Sequence, residues 1–148
     1  MKTTTLSAAK HGARARVWRN ALVIWLVIVA VETLHGILRM QFLVQVVGEL
    51  HAGQLGVVTG SLLNFGITWF SIRWIGARTM RLLLAVGLAW LALMLLFELG
   101  LGRLVLRVSW TRILADYDPR RGGLLMIGML FLACSPLLAA RLRGIRAP

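Results

Sequence analysis

Four stretches of this chain are long and apolar enough to cross a bilayer, and its few acidic groups sit inside or beside them. A helix needs about 20 apolar residues to cross roughly 30 Å of hydrocarbon. The runs at about 18–38, 55–74, 80–101 and 120–140 each approach that length. They are continuous and do not alternate apolar with polar, so they read as helices and not as barrel strands. The expected fold is all-α: an integral membrane four-helix bundle, with a short interfacial helix over 103–117 between the third and fourth spans.

With 148 residues, 59% of them hydrophobic and 15% charged, the chain lies outside the range of soluble globular domains and has the length of one domain. Its net charge of +12 is carried almost wholly by arginine at the ends of the apolar runs. That placement suits anionic phospholipid head groups, at about 1 kcal/mol per basic residue near the surface. Nucleic acid is not an expected partner, because no basic stripe with interleaved aromatics lies outside the termini. Cys134 is alone in the last run and reads as a small hydrophobe.

A basic arm, 1–17, precedes the first span, and a basic tail, 142–148, follows the last. The arm has the layout of a signal sequence, but Ile28-Val29-Ala30 before Glu32 is a poor cleavage site, so it reads as an uncleaved start-transfer helix; a mitochondrial transit peptide is the alternative. Lys2, Lys10, Arg14, Arg16 and Arg19 in the arm, Arg73, Arg78 and Arg81 in the second loop, and Arg141, Arg143 and Arg146 at the end share one side of a four-span chain. The positive-inside rule makes that side the cytoplasm, with both termini there, in a bacterial inner membrane. The first loop, 41–54, is poor in basic residues and belongs outside. The third loop departs from the rule, since Arg103, Arg107, Arg112, Arg120 and Arg121 would face outward. Pairing with buried carboxylates, combined with an interfacial helix, would account for them.

Glu32, His35 and Arg39 recur at i, i+3 and i+7, which gathers an acid, an imidazole and a base on one helix face. Ionisable groups at membrane depth cost roughly 2.5–3.5 kcal/mol on insertion scales, so they need partners or a purpose. Glu98 lies at a similar depth, and Asn64 and Thr68 share a face of the second span. The expectation is a polar cluster in the outer half, with Glu32 and Glu98 meeting Arg39, Arg103 or Arg107. It could be purely structural, or it could handle protons or a ligand. Glu32-x-x-His35 is also the spacing of di-iron bundles, and Glu32, His35 and Glu98 would be the metal set; one incomplete motif leaves no cofactor expected. Glu49 beside His51 reads as a solvated loop pair.

Gly56-x-x-x-Gly60 predicts a helix-packing face on the second span, and Ala85, Ala89 and Ala92 offer one on the third. Asp118 with Pro119 reads as an N-cap and first helical residue, starting the fourth span. Pro136 should kink that span or sit in a groove.

The strings Val31-Glu-Thr-Leu-His-Gly-Ile-Leu-Arg39, Phe97-Glu-Leu-Gly-Leu-Gly-Arg103 and Ser109-Trp through Asp116-Tyr-Asp-Pro-Arg-Arg-Gly-Gly123 resemble those of small uncharacterised bacterial inner-membrane proteins with four spans. The resemblance covers most of the chain after the arm and implies fold and location without an activity. No H-E-x-x-H or G-x-S-x-G motif is present. A non-enzymatic membrane subunit or scaffold is therefore expected, binding membrane lipids, a membrane-protein partner or further copies of itself. A proton-linked permease using Glu32 and His35 is the alternative, and a membrane metalloenzyme the third.

Overall fold

The computed structural model describes residues 2–145, with side chains from His11 onward. Met1 and 146–148, Arg146 among them, lie outside the described residues, as do the side chains of Lys2 and Lys10. Every element among the described residues is helical.

Helix α1 (Lys2–Leu38) passes through a π-helical turn (Arg39–Leu43) into α2 (Val44–Ile75). The loop expected at 41–54 is therefore helical, and the chain reverses at one residue, Gly48, with φ 79° and ψ 166°. That backbone region is open in practice only to glycine. The reversal follows from the cross-helix bonds. Asn20 donates to Trp74 O at 2.8 Å at one end, and His35 Nε2 stands 2.8 Å from Thr59 Oγ1 toward the other. Residues 42–47 carry Phe, Leu and Val with no proline, so nothing before Gly48 obliges the helix to stop.

Gly76, left-handed at φ 77°, ends α2, and the Thr79 hydroxyl caps α3 (Met80–Gly100) by accepting from Leu82 N. A second π-helical turn (Leu101–Val105) leads to Arg107, which adopts φ 53°. Ser109 then caps α4 (Trp110–Tyr117). The short helix is thus later and shorter than 103–117. Arg103 and Arg107 lie before it, and α4 turns Ile113 inward while Trp110 and Leu114 stay exposed. Asp118 does cap, accepting from Arg120 N at 2.9 Å, but what it starts is a single 3-10 turn (Pro119–Arg121). Left-handed Gly122 breaks that turn, and α5 begins only at Leu125, running to Leu142. Pro136 is accommodated inside α5 and buried.

Three helical stretches are long and apolar enough to cross a membrane: His11–Ile75, which Gly48 folds into two limbs, Met80–Val105 and Leu125–Leu142. α5 packs between α2 and α3, and α1 lies along α2 and touches α3. Ile28, Ile72, Leu83, Val86, Trp90 and Leu132 fill the centre. The Trp90 indole N–H donates to Ala21 O at 2.9 Å, which ties α3 to α1 and satisfies the buried donor. The tightest approach is at Gly87, where the Ala133 carbonyl occupies the position a Cβ would need. The alanines read as the small face of α3 do not make this contact, and Ala92 is exposed. The outer surfaces carry Leu22, Leu26, Leu62, Phe70, Leu88, Leu96 and Leu130.

Candidate functional site

The buried residues of α2 follow one another at four-residue steps: Ala52, Gly56, Gly60, Asn64, Thr68 and Ile72. Four-residue spacing on a 3.6-residue helix keeps them on one face, turned toward its neighbours. The two glycines of the G-x-x-x-G pair do not seat another backbone. A Cβ on Gly56 would lie 2.6 Å from Arg39 Cδ, and one on Gly60 2.9 Å from Glu32 Oε2. The stripe is a shelf on which α1 lays its charged side chains.

On that shelf Glu32 Oε2 is 3.5 Å from His35 Nδ1, and the other ring nitrogen meets Thr59. The Thr59 hydroxyl also lies 2.8 Å from Leu55 O. A hydroxyl has one hydrogen, so three arrangements are open. If Thr59 donates to Nε2, the neutral ring presents Nδ1–H to the carboxylate. If Thr59 donates to Leu55 O, then Nε2–H donates to Thr59, and the ring is either an imidazolium or neutral beside a protonated Glu32. The second carboxylate oxygen, Oε1, is buried without a hydrogen bond, as is Asn64 Oδ1.

Glu98, from α3, stands within electrostatic reach of Glu32, Arg39 and Asp116. Helix α4 brings Asp116 and Tyr117 to the same place. Burial raises the Asp116 carboxyl above its ordinary range, against the opposing pull of Arg112 and Arg39. The Tyr117 hydroxyl is buried without a partner and is pushed up to about 12, first by burial and then by the charges of Glu98 and Asp116.

Arg39 thus lies within electrostatic reach of Glu32, Glu98 and Asp116 without forming an ion pair among the described residues, while Arg103 and Arg107 do not join them. Arg103 lies over the Trp110 ring at 5.6 Å and donates to Val108 O, and Arg107 is exposed beyond the turn. Arg103 lies within the π-helical turn and Arg107 beyond it, both past the end of α3. Two of the third-loop arginines, Arg112 and Arg121, form ion pairs at the surface. Arg112 meets Glu49 at 2.6 Å across the fold, so Glu49 is not paired with His51, and Arg121 lies 3.6 Å from Asp118.

Sequence reasoning gathered Glu32, His35, Arg39, Glu98 and Asn64 and missed Thr59, Asp116 and Tyr117. Thr59 sits inside the G-x-x-x-G, one residue before Gly60. Asp116 and Tyr117 carried no comparable signal, because only the fold-back of α4 brings them to α3. Among the described residues no three His, Cys, Asp or Glu side chains converge in a way that would hold a metal ion. No family model, curated protein or solved structure matches the chain.

Proposed function

We propose that this chain is an integral protein of a bacterial inner membrane, crossing it four times with both termini in the cytoplasm. Its role is that of a non-enzymatic subunit or scaffold for other membrane proteins or lipid. The observation that carries the reading is the inversion of polarity across the helices. Leu22, Leu26, Leu62, Phe70, Leu88 and Leu96 point outward, while Asn64, Thr68 and Ser135 are buried. In water such a surface would far exceed the apolar patches that soluble monomers expose; in lipid it is the expected one, with polar side chains turned inward. Purification from native membranes in mild detergent, followed by mass spectrometry of bound proteins, lipids and metals, tests the role. A stable stoichiometric partner supports it, and its absence from every mild extraction contradicts it.

One observation favours a second reading, a small proton-linked permease. Glu32 Oε2 stands 3.5 Å from His35 Nδ1, and its other carboxylate oxygen is buried and unbonded; intramembrane acids with such neighbours are the usual proton carriers of transporters. Glu32→Gln separates the two. A scaffold keeps its partners and its fold in this variant, whereas a permease keeps its fold and loses proton-coupled flux in liposomes.

A further inference from the structure

At the end of the molecule away from the carboxylates, α1 and the α2–α3 turn enclose an open cleft of about 840 Å³. Its walls carry Arg14 and Arg16 from α1 and Arg78 and Arg81 from the turn and the start of α3, with Trp74 and Asn20 between them. None of the four arginines makes an ion pair or hydrogen bond among the described residues. The chain has five acidic residues, Glu32, Glu49, Glu98, Asp116 and Asp118, and none lines the cleft. Glu32, the nearest along α1, is twelve residues beyond Asn20, or about 18 Å at 1.5 Å per residue. Four arginines thus line one cleft with no acidic residue in its lining.

Below the arginines the lining turns apolar, through Leu82 and Ala85 along α3. The first turn of α3 also opens here, and its unpaired N–H groups favour an anion. A cationic mouth over an apolar trough matches an anionic phosphate joined to a hydrocarbon chain. Guanidinium groups bind phosphate oxygens in pairs, which lends such a mouth selectivity over mere surface charge.

We propose that this cleft is a binding site for an anionic phospholipid, the arginines holding the phosphate and the acyl chain lying along α3. The proposal rests on the reading that the chain is embedded in a membrane. The test uses the full-length protein in nonionic detergent, titrated with phosphatidylglycerol or with phosphatidylcholine, with bound lipid counted by native mass spectrometry. Phosphatidylglycerol should bind at least tenfold more tightly than phosphatidylcholine. R78Q/R81Q should lose at least tenfold of that binding, while R120Q/R121Q, which removes the same charge at the far end, stays within twofold. R14Q/R16Q probes the opposite wall and decides the matter should R78Q/R81Q fail to fold by circular dichroism.

Unchanged binding in the cleft variants, or equal loss in the far-end variant, overturns the site. Displacement of the lipid by inorganic phosphate or glycerol 3-phosphate at similar concentration overturns the lipid assignment and makes free phosphate the ligand. Alkaline carbonate washing of the membranes is independent of all these arms. Release of the protein there would overturn the membrane reading itself, whatever the lipid titration gives.

Discussion

At Gly56 and Gly60 the missing side chains of α2 leave room that Arg39 and Glu32 fill from α1, so each glycine is tied to one charged residue. Gly60→Ala would put a methyl group 2.9 Å from Glu32 Oε2, the free end of a flexible side chain. The carboxylate can swing aside, so the variant should fold with a loss near the low end of the roughly 1–3 kcal/mol that overpacking costs. Detergent-titrated unfolding measures this, and the same displacement should break the 3.5 Å approach to His35. Tyr117 offers a cleaner reading, because it is the chain's one tyrosine. Its phenolate absorbance should titrate near 12 in the folded protein and about 10 when unfolded. The folded value is the raised one, so its contribution to stability is complete below about pH 10 and is lost as pH rises through about 12. A folded-state midpoint at 10 would mean that the hydroxyl faces water and that Tyr117 is not buried near Glu98 and Asp116.

The helices depend on two glycines of different kinds. Gly48 turns α1–α2 back on itself at φ 79° and ψ 166°, and Gly48→Ala should cost about 1–3 kcal/mol through backbone strain alone. Gly87 lets α3 meet the backbone of α5 at Ala133. There a methyl group meets a carbonyl that cannot rotate away, so Gly87→Ala should destabilise more than Gly60→Ala in the same unfolding assay. Equal losses at 60 and 87 would contradict the difference drawn here between side-chain and backbone contact. The apolar runs announced these helices because hydropathy is local to each run. The residue doing the turning was hidden inside the loop read at 41–54, since helix continues on both sides of that one glycine. Asp118-Pro119 likewise signalled a cap but not that Gly122 would end the turn it starts, three residues before α5 begins at Leu125.

Across the whole molecule charge is divided between two ends. The carboxylates gather near α4 with Arg39 and Arg112, and the arginines of α1, the α2–α3 turn and the end of α5 face no acid. The acid–imidazole–base series on α1 was legible from its i, i+3, i+7 spacing, because those partners lie on one element. The share of Asp116 and Tyr117 was not, because it depends on how α4 folds back. At the arginine-rich end Arg143 donates to Trp69 O at 2.6 Å and lies over its ring, joining α5 to α2. Arg143→Ala should therefore weaken the packing of α5 by about 1–3 kcal/mol, as for a hydrogen bond from a charged donor, measured by the same unfolding titration.

The central claim is that hydrocarbon surrounds these helices, with the arginine-rich end and the carboxylate end on opposite faces of a membrane. With Cys134 replaced by serine, single cysteines at Thr79 and Ser109 can be labelled by a membrane-impermeant maleimide in sealed inverted vesicles and in spheroplasts. The account predicts that position 79 reacts only in the inverted vesicles and position 109 only in the spheroplasts. Labelling of both positions from the same face would contradict it.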